Sequence, residues 1–228
     1  MRAENYQYRI KITKLNELKF ISHLDFQNLI LKTLRRAKCE LALSEGFSPS
    51  PKINFSPALP LFIESECELV NFACTKKISD NFKETFEKNT NKNMKIKEIY
   101  EYPPTDRRLE SLDILIQWAK YEAELFENKK NVYDFEKIIY NVEKCLSNDN
   151  LFIKKINKKG IEKNVDFKPS VKDIKTDGNG KIIFTLKAGQ GDVPALRADE
   201  FLKTIFKDDY KLFKIKRTHF FDKDLKVL

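Results

Sequence analysis

Within the first forty residues the spacing of apolar side chains changes period, and that change restricts the fold more than any other feature. From Tyr6 to Thr13, Tyr6, Tyr8, Ile10 and Ile12 alternate with Gln7, Arg9, Lys11 and Thr13. Period two over this length marks a strand with one buried face. After a polar turn over 14–19, Ser22 stands three residues before Asp25, a capping box that opens a helix. Asp25 is also favoured there by the helix dipole. Leu24, Leu31 and Leu34 give the helix an apolar face to about Ala37, while Lys32, Arg35 and Arg36 fall at i, i+3 and i+4 as a positive stripe on its outer face. A half-buried strand followed by a capped helix places the chain in the α+β class.

The pattern continues. An irregular stretch from Cys39 to Pro51 contains Gly46-Phe47-Ser48-Pro49-Ser50-Pro51; Pro49 and Pro51 fix the backbone, and Gly46 permits a turn costly for any other residue. Strands are expected over 52–55 and 66–74, a helix over 79–88 and a strand over 94–100. Strand, helix, strand, strand, helix, strand is the ferredoxin-like order. Pro103-Pro104 and the charged residues 106–110 read as a linker. Beyond them the order recurs more faintly: a strand over 114–126, a helix over 133–146 carrying Phe135, Ile138, Ile139, Val142 and Leu146, strands over 151–156 and 181–187, a helix over 198–206 and a strand over 210–217. Asp177-Gly178-Asn179-Gly180 is a turn signal ahead of a strand. The expected architecture is two tandem ferredoxin-like (βαββαβ) domains, 1–103 and a degenerate copy over 104–228.

The formal net charge is +9. Up to Pro103 there are 17 Lys+Arg against 13 Asp+Glu, and 26 against 21 afterwards, so the excess is even rather than gathered in a basic arm. Such a surface favours polyanions, nucleic acid above all, through phosphate attraction and counterion release. A generally lysine-rich composition is the alternative. No apolar run approaches the roughly 20 residues of a membrane span, and 1–6 lack the apolar core of a signal peptide. A cytoplasmic protein is expected. Cys39, Cys67, Cys74 and Cys145 are scattered, with no Cys-x-x-Cys pair; free thiols packed as small hydrophobes are expected, with no metal, iron–sulfur cluster or other cofactor.

Few residues could carry chemistry. His23 and Asp25 form a possible proton-transfer or ligand-binding pair, but a metal site needs further donors, and the other histidine, His219, is near the opposite end of the chain. Ordering the start of the helix is the plainer role. In the loop from Gly46 to Lys52, Phe47 could stack on a base and Lys52 could contact phosphate; a turn into the next strand is the alternative. Gly189 and Gly191 with Arg197 could cradle an anion or simply connect a strand to a helix. No Gly-x-Ser-x-Gly, His-Glu-x-x-His or paired-carboxylate motif is present.

Tyr8-Arg9-Ile10, Lys14, 18–25 (LKFISHLD), 34–37 (LRRA), 44–53 (SEGFSPSPKI) and Leu59-Pro60-Leu61 together resemble, in order and spacing, the radical SAM-linked protein family, a domain catalogued without a known function. The likeness is dense to about Ser65; Phe167-Lys168-Pro169 and 191–199 are weaker echoes. Two positions depart from the family pattern: Ser50 stands where a histidine is usual, removing a partner for His23, and Phe62 where a glycine is usual. The resemblance implies a module fused to, or encoded beside, a radical SAM protein, with genes for ribosomal proteins and ribonucleases nearby. The expected function is therefore a non-catalytic accessory or substrate-recognition module for a radical SAM enzyme, acting on RNA or a ribosome-associated substrate. The binding residues would be Lys32, Arg35, Arg36, Phe47, Lys52 and Arg197, with Ser22, Gly46, Pro49 and Pro51 shaping the motifs. Two alternatives stand beside it: an RNA-modifying or RNA-cleaving enzyme centred on His23 and Asp25, and a protein–protein adaptor that binds no nucleic acid.

Overall fold

A computed structural model describes residues 5–105, 109–130, 133–156, 160–177 and 180–228. The chain divides into two compact units, Met1–Leu115 and Ile116–Leu228. The class is α+β, as the change of period implies.

The first unit runs β1 (Asn5–Lys14), α1 (His23–Arg36), β2 (Ile53–Phe55), β3 (Glu64–Cys74), α2 (Phe82–Lys88), β4 (Ile96–Thr105) and a single turn, α3 (Leu112–Leu115). β1 pairs antiparallel with β3 on one side and β4 on the other, and β2 pairs antiparallel with β3. The strand order is β4-β1-β3-β2. Tyr8, Ile10 and Ile12 of β1 and Val70, Phe72 and Cys74 of β3 share one face of the sheet, where they pack with Phe26, Ile30 and Leu34 of α1 and Phe82 and Phe86 of α2. Burial of each such side chain contributes about 1.5–3 kcal/mol.

Helix α1 starts as its capping residues require. Ser22 Oγ accepts from the Asp25 N–H at 3.1 Å and donates to the Asp25 carboxylate at 2.7 Å. Its buried stripe, however, is Phe26, Ile30 and Leu34, spaced i, i+4, i+8, rather than Leu24, Leu31 and Leu34. Two residues before Phe26 is about 200° around the helix, so Leu24 is left 70% exposed.

Pro103 and Pro104 do not form a linker; they belong to β4, and the boundary between units falls at Leu115/Ile116, twelve residues later. β4 stands at the end of the strand order and pairs with β1 alone, and its register shifts between the Asn5–Thr105 and Gln7–Tyr102 pairs. An edge strand with an irregular end tolerates proline, because an outward-facing N–H is not needed for pairing. Of the charged stretch over 106–110, residues 106–108 lie outside the described residues.

The second unit runs β5 (Trp118–Leu125), α4 (Phe135–Ser147), β6 (Phe152–Ile156), β7 (Glu162–Asp166), β8 (Val171–Thr176), β9 (Ile182–Lys187), α5 (Ala198–Phe206) and β10 (Phe213–Phe221). β5 is flanked antiparallel by β10 and β9, and β9 by β8, giving the order β10-β5-β9-β8. Stacked Tyr121 and Phe184, with Phe201 of α5 against Phe184, mark its core. The strand expected over 151–156 is present, but it pairs with β7 as a separate two-stranded hairpin; β8 occupies the place in the sheet that this strand was expected to fill. β7 and β8 escaped the periodicity because they are mostly exposed Glu, Lys, Asn and Asp. Residues 114–115 belong to α3, and β5 starts only at Trp118. In α4 the buried positions are Ile138, Val142 and Cys145, with Leu146 exposed. Gly178 and Asn179 of the turn motif lie outside the described residues, but Asp177 and Lys181 on either side are joined by the Asp177 N–H to the Lys181 carbonyl at 3.1 Å. Among the described residues no helix is long and apolar enough to cross a membrane.

Candidate functional site

The irregular stretch after α1 is a narrow paired stalk. Ala42 N–H donates to the Ala73 carbonyl at 2.8 Å, Lys52 N–H to the Ala42 carbonyl at 2.7 Å and Ser44 N–H to the Ser50 carbonyl at 2.7 Å. Ser44 Oγ also accepts from the Ser50 N–H at 3.0 Å. The tip, 45–49, is exposed, and Phe47 on it is entirely so. Gly46 has φ +123°, a region closed to L side chains, although a Cβ there would meet nothing within 4 Å. The need for glycine is thus one of backbone conformation and not of space. Pro49 and Pro51 stiffen the returning limb.

At the base of this stalk the sheet register builds a cavity. Tyr8, Phe72 and Ile53 stand opposite one another across β1, β3 and β2 and turn toward the helices. The neighbouring rows therefore point to the side away from α1 and α2. One row is Gln7, Ala73 and Lys52; the other is Arg9, Asn71 and Asn54. The small Ala73 leaves a hollow between them, and residues 109–111 cross above it. Leu109 N–H donates to Gln7 Oε1 at 2.9 Å, Asn71 Nδ2 to the Glu110 carbonyl at 3.1 Å, and Leu112 N–H to Asn54 Oδ1 at 3.2 Å. The resulting cavity, about 280 Å³, is lined by residues that include Asn5, Ser50, Lys52, Asn54, Leu109 and Ser111.

The sequence-proposed residues do not form one surface. Lys32, Arg35 and Arg36 are exposed on α1, in the layer opposite to the cavity, and make no ion pair among the described residues. Lys52 lines the cavity, and Phe47 tops the stalk. His23 and Asp25 line no part of it. The Gln27 side-chain amide donates to His23 Nε2 at 2.8 Å, and Asp25 is held by Ser22, so both are engaged within the first two turns of α1. His219 lies in β10 of the second unit and contacts the Thr218 hydroxyl at 3.0 Å.

In the second unit, the glycine-rich connection after β9 is a close backbone approach. The N–H groups of Ala188 and Gly189 both donate to the Gln117 carbonyl, at 3.0 and 3.3 Å, so neither is offered to an anion. Arg197 forms a two-pronged pair with Asp199, 3.0 Å from Nε and 2.7 Å from Nη2, and the hydrogen bonds to that carboxylate raise the guanidinium pKa. Its charge is already neutralised. The four cysteines are buried and free. The interaction between the Cys39 and Cys74 thiols pushes Cys74 up and, against the opposing effect of burial, Cys39 down. Among the described residues no three His, Cys, Asp or Glu side chains gather as a cation would require.

Sequence reasoning found Lys52 but missed Asn54, Ala73 and Ser111. Loop chemistry marked the first; the others become neighbours only through register and the crossing of 109–111.

No curated protein matches the chain. Two solved structures are similar at low level. One is of a candidate chlorite dismutase, at 12% identity over 82% of this chain and 80% of that chain, with a TM-score of 0.26. The other is of a candidate glycine cleavage system transcriptional repressor, at 6% identity over 83% and 82%, with a TM-score of 0.23. Likeness this slight supports no inference. The family comparison is decisive: residues 7–198, spanning both units, match one family along their length, and the chain belongs to the bacterial family described as "Uncharacterized protein conserved in bacteria (DUF2344)".

Proposed function

We propose that this protein is a non-catalytic recognition module that holds RNA, or a ribosome-associated substrate, for a radical SAM enzyme in the cytoplasm. The observation that carries the RNA reading is the outer face of α1. Lys32, Arg35 and Arg36 stand there close together on one exposed helix face, and none of the three meets a carboxylate among the described residues. Cations left unneutralised within one turn of a helix suit a phosphate backbone, which repays them with released counterions. The radical SAM partner rests on the resemblance of the residues between Tyr8 and Leu61. We read each unit as a ferredoxin-like domain, divided at Leu115/Ile116; the strand orders β4-β1-β3-β2 and β10-β5-β9-β8 support this, with β6 and β7 as an insertion in the second.

The adaptor reading has one observation in its favour, the bare Phe47 ring on a stiffened loop. The enzyme centred on His23 and Asp25 has none, since the contacts of both within α1 account for their placement.

Fluorescence anisotropy with a labelled single-stranded RNA tests the proposal. Affinity is expected to fall as salt rises, and Lys32→Glu with Arg35→Glu to flatten the log–log slope by about 0.7 per lost contact. Wild-type protein without salt-sensitive RNA binding would leave the adaptor as the preferred reading.

A further inference from the structure

The cavity between residues 50–54 and 109–111 has a lining of one chemical character. Three of its amide acceptors are engaged inside the protein: Gln7 Oε1 on Leu109, Asn54 Oδ1 on Leu112, and Asn71 Oδ1 on the Arg9 guanidinium at 2.8 Å. Among the described residues, Asn54 Nδ2, the Ser111 hydroxyl and the Lys52 ammonium have no protein partner, and the lining holds no carboxylate. These three groups come from two walls, β2 with the residue before it and the crossing segment. A cavity that presents donors and a positive charge, with three amide acceptors already used and no carboxylate in its lining, fits an anion whose oxygens point in several directions. A tetrahedral phosphate does so, whereas the two oxygens of a carboxylate lie in one plane. Pro51, Ala73 and Leu109 add apolar wall, and the 280 Å³ volume exceeds what a bare anion fills.

We propose that this cavity binds the phosphate of an organic phosphomonoester, with Lys52, Asn54 and Ser111 as its donors and Pro51 and Leu109 against the organic part. That phosphate can come from a free mononucleotide or from the 5′ end of an RNA strand. The site is separate from the α1 stripe, since Lys52 and α1 lie on opposite sides of the first unit's sheet.

Calorimetric titration of the full chain with AMP, adenosine and two short oligoribonucleotides, one 5′-phosphorylated and one with a 5′-hydroxyl, tests it. Asn54→Asp is the informative variant, because it keeps the acceptor for Leu112 N–H while replacing the donor with an anion. Lys52→Gln removes the charge from a half-buried side chain. Each is expected to weaken phosphate binding about tenfold or more, while Lys32→Glu with Arg35→Glu leaves AMP binding within about twofold. AMP binding with this sensitivity assigns a free mononucleotide. A preference for the 5′-phosphorylated strand with the same sensitivity, AMP binding weakly, assigns an RNA end. Equal binding of AMP and adenosine, binding indifferent to both cavity variants, or no binding by any phosphate probe overturns the proposal. RNA binding lost through the α1 variants alone would leave this site standing, so the two readings fail separately.

Discussion

Gly189→Ala is expected to be among the most damaging single-methyl additions to the second unit. A Cβ at Gly189 would stand 1.8 Å from the Ile116 carbonyl oxygen and 2.9 Å from its carbon. These are backbone atoms with no rotamer to escape into, so the two chain segments must separate by more than an ångström. Separation strains or breaks the bonds from Ala188 and Gly189 N–H to the Gln117 carbonyl. Two hydrogen bonds at about 1 kcal/mol each, with an overpacking cost of about 1–3 kcal/mol, give a loss of about 3–5 kcal/mol. Trp118, the chain's single tryptophan, follows Gln117 directly at the start of β5, so its fluorescence during urea denaturation reports on this place. Gly160→Ala is the control: its φ of +78° makes it strained, but a Cβ there meets nothing within 4 Å, so about 1–2 kcal/mol is expected. If Gly189→Ala costs no more than Gly160→Ala, the contact at Ile116 yields easily and the steric argument is wrong.

Ser22→Ala removes the acceptor for the Asp25 N–H and is expected to cost about 1 kcal/mol, with faster amide exchange at 23–26 and little change at 30–36. Asp166 accepts from Asn150 Nδ2 and from the N–H groups of Leu151 and Lys168, at 2.8, 2.8 and 2.9 Å, and these bonds hold its carboxyl below the ordinary value of 3.8. Its stabilising effect is therefore present above about pH 3.8 and lost as pH falls through the lower folded value. Amide exchange at β6 and β7 should rise in that acid window in the wild type, and Asp166→Asn should flatten the dependence. Cys74→Ala withdraws the neighbouring thiol whose interaction lowers Cys39, so the Cys39 thiol should titrate at higher pH in ultraviolet absorbance.

The elements that were legible in the sequence are those whose apolar residues recur at a regular spacing or gather in a run. β1 alternates, α5 has a clear apolar face, and the apolar residues from Leu69 to Cys74 mark β3, whose polar beginning was misplaced by two residues. β7 and β8 were not legible because most of their side chains face solvent, and exposed strands have no periodic apolar signal. Pro103-Pro104 misled because the dipeptide usually interrupts structure, whereas an irregular strand end can hold it. Half of the cavity was visible in the loop through Ser50, Pro51 and Lys52. The other half depends on which face Asn54 and Ala73 take, which follows from pairing with β3 and β1 rather than from local composition.

The two prolines near the end of β4 also bear on how the chain behaves in company. β4 is ten residues long, with β1 on one side and its other edge outward. An edge of that length is a template on which another copy could grow a strand. Successive residues of a strand aim their N–H groups to opposite sides, so at least one of positions 103 and 104 would otherwise offer a donor outward. Proline offers none. Exposed Lys97 adds a charge that an incoming neutral strand would have to desolvate. Ordinary residues at both prolines would leave the packing of the first unit almost untouched, yet add an outward donor to this open edge. The cost would be paid in colloidal behaviour at high concentration rather than in folding.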